Sequence, residues 1–216
     1  MRTVIINESL EKTLSRERLE KYLQVTNQDL DAALKLYEEN TRLSEAFYTP
    51  LQCLEICLRN CLHNVLTNAY GEDWFRNGNA TLSHDSQRMI FEAIEELKKD
   101  GKSPLPGRVI AELKFAFWVG LLGPHYDATL WRQCLYKAFL AGGGRPRKTV
   151  HQRFNAIRRF RNRIAHHEPI FRRPLIQMHD EVIGAIGWMC RDTAAWTEHH
   201  SRFPRVASTA AEEPMA

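Results

Sequence analysis

Arg161, Asn162 and His166 lie in the run Phe-Arg-Asn-Arg-Ile-Ala-His-His-Glu-Pro-Ile-Phe over 160–171, at the end of a predicted helix and just before Pro169. Their types suit work on a phosphate ester. An arginine offers a planar fork of donors that matches phosphate oxygens. A histidine gains and loses a proton near neutral pH. An asparagine beside them orients either one. Together these are the parts needed to cut RNA without a metal.

A second polar row, Glu55, Arg59 and His63, repeats at i, i+4 and i+8, with Asn60 beside Arg59. As a surface feature it is a helical Glu-to-Arg pair worth about 0.2–0.5 kcal/mol. As a functional feature it lines the same cleft as Arg161 and His166, with Glu55 orienting Arg59 or His166 and Arg59 adding a phosphate contact. Cys53, Cys57 and Cys61 share that helix at the same spacing. A zinc site would require a fourth ligand and tighter pair spacing, so the cysteines read as a small apolar stripe beside Leu54, Leu58 and Leu62. No metal or other cofactor is expected.

The 216 residues carry a net charge of only +4, yet the basic residues are concentrated. Arg145, Arg147, Lys148, Arg153, Arg158, Arg159, Arg161 and Arg163 fall in one segment, and no acid occurs from Ala128 to His167. Such a stripe is an electrostatic footprint for nucleic acid. Arg145, Arg147, Lys148, Arg153 and Arg158 are its expected contacts to an RNA backbone. The bland alternative is a solvated helix face answered by acids such as Glu8, Glu11, Glu17 and Glu20. The longest apolar run, Phe115 to Leu122, falls far short of the roughly 20 residues of a membrane span. The N-terminus lacks the basic-then-apolar pattern of a signal peptide. The expectation is a cytoplasmic protein with no membrane partner.

The elements that position these residues read as helices throughout. Ser15 caps one helix and Asn27 the next. Pro50 breaks the chain or starts a helix, and Leu51, Leu54, Leu58, Leu62 and Val65 mark one face of a long helix ending near Gly71. Ser83 caps a helix to about Lys99. Val109, Ile110, Leu113, Phe117 and Leu121 line a further helix that stops at Gly123-Pro124, and Leu130 to Leu140 is a short one. Gly142-Gly143-Gly144 is a flexible joint without the spacing of a P-loop. The motif helix then buries Phe154, Ile157, Phe160 and Ile164. At roughly 100° per residue, Arg161 stands about 140° from an ideally helical His166. One site therefore uses both only if the helix end unwinds or Arg161 reaches around, and Pro169 favours an irregular turn at His166–His167. Pro174 opens a last helix with Ile176, Val182, Ile183, Ile186, Met189 and Cys190. One domain over 1–203 and a disordered tail over 204–216 complete the expected organisation.

The segment Arg161-Asn-Arg-Ile-Ala-His166, with Glu168-Pro169 after it, resembles the R-x4-6-H signature of the HEPN superfamily. Two further stretches extend the likeness to its Abi-like, abortive-infection branch: Pro50 to Asn60 with Tyr70-Gly-Glu-Asp-Trp74, and Arg108 to Trp118 followed by Trp131. The likeness spans roughly residues 15 to 200. It implies an all-α fold, a HEPN-like helical bundle with additional helices. It also implies a metal-independent endoribonuclease of a bacterial abortive-infection or toxin-type defence system, acting as a homodimer, with an antitoxin or a phage trigger protein as further partners. It carries over Arg161, Asn162 and His166 as catalytic. In that chemistry a ribose 2′-OH attacks the adjacent phosphorus, His166 serves as general base or acid, Arg161 neutralises charge on the phosphoryl oxygens, and Asn162 holds the phosphate or the imidazole. His167, which also fits the signature, reads as a secondary contact or an exposed residue. One departure stands out. Some HEPN toxins carry a tyrosine two positions after the histidine, where a partner nucleotidyltransferase modifies them, and here that position is Glu168. The competing reading is a non-catalytic helical module that binds RNA or protein and keeps the motif as a structural polar cluster.

Overall fold

The computed structural model describes residues 3–212, and among them the regular structure is helical with no strand. The fold class is all-α. Where one domain is expected, the chain separates into two compact units of discontinuous segments: Met1–Thr49, Asn162–His179 and Ser201–Ala216 form one, and Pro50–Arg161 with Asp180–His200 form the other. No described helix is long and apolar enough to cross a membrane.

The first unit contains α1 (Val4–Leu14), α2 (Arg16–Leu23), α3 (Leu30–Ala46) and α11 (Phe203–Glu212). Ser15 starts α2 as expected, its hydroxyl accepting the Arg18 N–H at 3.2 Å. The cap of α3 is Asp29, which accepts the Ala32 N–H at 3.0 Å, and not Asn27. Asn27 and Gln28 are left-handed, with φ of 52° and 67°, and they form the turn between α2 and α3, which leaves Asp29, extended at φ −74° and ψ 113°, at the cap position. Leu19, Tyr22, Leu23, Ala33 and Leu34 form a buried cluster against which Leu10, Leu14, Tyr37 and Phe171 pack. Burial pushes the Tyr22 hydroxyl pKa up to about 12.

The tail expected from residue 204 is corrected by α11, which is helical to Glu212; the last four residues lie outside the described ones. An anchor accounts for the difference. Phe203 is buried, with its ring 4.5 Å from Phe47 and stacked on His179 at 5.1 Å. Ser201 bonds the His179 imidazole Nε2 at 2.9 Å and accepts the Phe203 N–H. A polar, Ala-rich composition after one buried aromatic makes a docked helix and not a free tail.

The second unit holds most of α4 (Tyr48–Tyr70), with α5 (His84–Lys99), α6 (Pro106–Glu112), α7 (Phe115–Leu121), most of α8 (Arg147–Ala165), the end of α9 (Leu175–Gly187) and α10 (Arg191–His200). Pro50 sits in the first turn of α4, where its missing N–H costs nothing. The single helix expected through Val109 and Leu121 is two, because Leu113 and Lys114 are extended. Phe115, Phe117, Trp118, Val119, Leu121 and Leu122 are all buried, so α7 is an enclosed helix and not a surface helix with a single apolar face. The freed Leu113 carbonyl accepts the Trp118 indole N–H at 3.3 Å. The Leu130–Leu140 helix is likewise replaced by a π turn at Asp127–Trp131 and a 3-10 turn at Leu135–Phe139, interrupted at Cys134, whose φ is −149°. The expected last helix is broken between α9 and α10, and Ile176, expected among its apolar residues, is 69% exposed.

Replacing Phe203 by Ala tests the status of the C-terminal helix. Truncating a buried phenylalanine typically removes about 3–5 kcal/mol. Denaturant unfolding of Phe203→Ala should show a loss of that size, whereas a change within 0.5 kcal/mol, roughly that of an exposed position, would mean that α11 is not part of the packed unit.

Candidate functional site

α8 forms because Val150, Phe154, Ile157 and Phe160 recur at helical spacing and are buried. Ile164, the last residue expected on that face, is only half-buried. The helical bond from the His166 N–H to the Asn162 carbonyl is kept at 2.9 Å. The chain then turns left-handed at His167, with φ of 55°. The His167 N–H returns to Ile164 at 3.0 Å and the Glu168 N–H to Arg163 at 2.8 Å. That pair of bonds is the Schellman ending of a helix, normally built on glycine. The irregular turn is thus present, and it begins at His167.

The turn is held from several sides within its own unit. Arg18 Nη1 donates to the His167 carbonyl at 2.8 Å and to the His166 carbonyl at 3.4 Å. Arg163 bridges forward, 3.0 Å from the Glu168 carboxylate and 3.1 Å from the Pro169 carbonyl. Beyond it, the side-chain oxygen of buried Asn40 accepts the Ile170 N–H at 2.7 Å and the Phe171 N–H at 3.2 Å. The backbone of His166 is therefore fixed while its imidazole is exposed. Asn162 is half-buried, and His167 is exposed. Sequence reasoning missed Arg18 and Asn40. Neither lies in a motif, and a single polar residue on an amphipathic helix carries no signal of a distant backbone partner.

Arg161 belongs to the other unit, the division falling between it and Asn162. Its Nε is 3.5 Å from the Glu55 carboxylate, both side chains being partly exposed. The structure thus pairs Glu55 with Arg161, not with the expected Arg59 or His166. Arg59 donates to the Ala111 carbonyl at 3.3 Å, which engages it within the fold, and Asn60 is exposed. His63 is structural: its Nδ1 accepts the Trp74 indole N–H at 3.1 Å and lies 3.4 Å from the Thr67 hydroxyl. Cys57 is buried, with Cys53 and Cys61 half-buried. Its thiol pKa is raised by hydrogen bonding to Cys61 and by burial. Among the described residues, no group of three His, Cys, Asp or Glu side chains is placed to hold a metal.

The basic stripe divides into residues engaged within the fold and residues facing solvent. Arg147 is corrected from an expected RNA contact to a fold contact: mostly buried, it pairs with Asp127 at 3.1 Å and donates to the Leu122 carbonyl at 2.9 Å. Arg153 lies 3.8 Å from the Glu181 carboxylate, and Arg158 places its fork on the Asn155 side-chain oxygen at 2.9 and 3.2 Å. Arg145 and Lys148 are exposed, and so is Arg159, which belongs to the stripe but was not among the expected contacts. A cavity of about 340 Å³ beside α5 and α6, lined by Met89, Phe91, Glu92, Leu113 and Lys114 among others, includes none of these residues.

His63 supplies a pH test. Burial lowers its pKa from the ordinary 6.5, with Glu72 opposing. The folded form thus favours neutral imidazole, whose Nδ1 accepts the Trp74 bond. A lowered folded-state pKa gives stability that is complete above the unfolded value and lost as pH falls through the folded one. Stability measured by denaturant should decline below about pH 6.5, and His63→Gln should flatten that decline. An identical slope in the variant would remove His63 as its source.

Comparison of the chain with protein-family models, with curated proteins and with solved structures finds no match.

Proposed function

We propose that this protein is a metal-independent endoribonuclease of the HEPN type, belonging to a bacterial abortive-infection or toxin-type defence system. The observation that carries the reading is the placement of Arg161, Asn162 and His166 at the end of α8, with Arg161 held 3.5 Å from Glu55 and the His166 ring left exposed. In the proposed reaction the ribose 2′-oxygen forms a bond to phosphorus and the 5′-oxygen leaves. The 2′-OH proton passes to a general base, and the leaving oxygen receives one from a general acid. Arg161 offsets the charge on the non-bridging oxygens. Glu55 aims its guanidinium, and Asn162 steadies the phosphate or the imidazole.

An arginine and a histidine on different faces of one helix end favour a two-fold dimer in which one copy supplies Arg161 and the other His166 to each centre, with His166 serving one of the two proton transfers. Modification at the position two residues after the histidine has no acceptor here, because Glu168 occupies it and is ion-paired with Arg163. The second reading, a binding module without turnover, draws support from the same contacts: Arg163, Glu168 and Arg18 satisfy the helix end as a purely structural cluster would.

Purified protein incubated with total RNA in excess EDTA should leave 2′,3′-cyclic phosphate or 3′-phosphate ends and free 5′-OH ends. His166→Ala should lower the rate by about 10²–10⁴-fold, the usual share of general acid–base catalysis, while keeping the helical content. Strict dependence on a divalent ion would reject the mechanism. Native-rate cleavage by His166→Ala would reject the assignment of that residue, and an absence of cleavage with retained RNA binding would favour the binding module.

A further inference from the structure

Trp188 lies in the break between α9 and α10 and is partly exposed. Phe154 of α8 meets its ring edge-on at 6.5 Å. Two guanidinium groups lie over the indole, those of Arg145 and Arg153, each 5.3 Å from the ring centroid. The triple-glycine loop brings the first of them there. Gly143 and Gly144 are left-handed, with φ of 89° and 74°. A Cβ placed on Gly142 would stand 3.4 Å from Trp188 Cδ1 and 3.5 Å from an Arg145 terminal nitrogen, so the loop runs along the indole at contact distance. The two arginines are not equivalent. Arg153 is also tied to Glu181 at 3.8 Å. Arg145 is exposed, and its hydrogen bond goes to the carbonyl of the adjacent Gly144 at 3.1 Å.

A partly exposed indole flanked by arginines is the chemistry that receives a nucleotide. Every base has a π face, so stacking on an aromatic ring tolerates any sequence. A base arriving on the ring replaces Arg145, and the exchange favours the base, because such a stack is stronger than an exposed cation–π contact. The displaced guanidinium keeps its five in-plane donors, which match a phosphate bidentately. A base paired within a duplex presents no free face and gains nothing from the ring.

We propose that Trp188, Arg145 and Arg153 form a binding site for an unpaired nucleotide of RNA, with the base on the indole and its phosphate on Arg145. The inference rests on the reading of this protein as one that acts on RNA, and it names single-stranded RNA as the class bound.

The test is fluorescence anisotropy at low salt with a labelled unstructured RNA oligonucleotide, the same strand annealed into a duplex, and a strand of the same length carrying abasic sugars. Trp188→Ala should weaken binding of the unstructured strand about tenfold, within the contribution of one base–aromatic stack, and leave duplex binding unchanged. Trp188→Phe should restore most of the loss. The wild-type protein should bind the abasic strand more weakly by a similar factor, a comparison that needs no variant to fold. In Trp188→Ala the difference between the two strands should shrink. Equal affinity of wild type for the unstructured and abasic strands overturns the site, as does equal weakening of single-strand and duplex binding by Trp188→Ala. In either case RNA cleavage by the wild type leaves the nuclease reading standing. Failure of the wild type to bind or cleave any RNA overturns both.

Discussion

The left-handed residue at 167 is the constraint on which the motif depends. A side chain in that conformation costs about 1–2 kcal/mol relative to an ordinary helical residue, and here the residue is histidine, not glycine. The turn persists because its surroundings hold it: two Schellman bonds, the Arg18 bonds to successive carbonyls, and the Arg163 bridge to Glu168. Charge-assisted bonds of this kind contribute about 1.5–3 kcal/mol each where shielded from water and less where exposed, so together they offset the strain. The consequence for function is direct. His166 is the last residue with a helical backbone bond, and the chain leaves the helix immediately after it. Its imidazole is presented to solvent on a backbone that cannot shift without breaking those contacts. Asn40 extends the hold to Ile170 and Phe171 and is buried where water cannot replace it. Loss of its oxygen would leave two backbone donors without their acceptor, at a cost of about 1–3 kcal/mol.

Arg161 is held by a different kind of interaction. Its contact with Glu55 is a single, partly exposed ion pair at 3.5 Å, and pairs of that sort contribute little to stability, about 0–1 kcal/mol. A weak, exposed pair orients a guanidinium without fixing it, which leaves the fork able to exchange a carboxylate for a phosphate. Arg147 shows the contrast within the same helix: it is mostly buried, with Asp127 and the Leu122 carbonyl engaging its donors. The arginines of the stripe therefore do different work, although they are alike in sequence. Exposure separates Arg145, Lys148 and Arg159, whose charges face solvent, from Arg147, whose charge is engaged within the fold.

Much of the helical order was legible from local chemistry. Ser15 and Ser83 do cap helices, Gly71 does follow the end of α4 with φ of 89°, and Pro169 does accompany an irregular turn. The failures share a cause. Periodicity marks which residues turn inward but not where tertiary packing stops a helix, as at Leu113–Lys114, where no Gly or Pro signals the break. The C-terminal segment was misjudged because its composition is polar, whereas its docking depends on Phe203 meeting Phe47 and His179, residues distant in sequence. At the site, residue types pointed to Arg161, Asn162 and His166, and the Glu55 row was traceable by spacing. The partner of Glu55, the engagement of Arg59 with Ala111, and the clamps from Arg18 and Asn40 were not, since each joins positions far apart in the chain. Trp188 was hidden for the same reason, as its arginines come from a loop and a helix well upstream.

The central claim is that cleavage needs Arg161 and His166 together, drawn from two copies of the chain. Equimolar mixing of Arg161→Ala chains with His166→Ala chains, after each has been shown inactive alone and to form dimers, addresses it most directly. With random pairing, half of the dimers are mixed, and each mixed dimer keeps one of its two centres intact. A shared centre therefore predicts recovery of about one quarter of wild-type cleavage in EDTA. No recovery from a mixture in which mixed dimers are demonstrated would contradict it, since every centre confined to one chain would then lack either its arginine or its histidine.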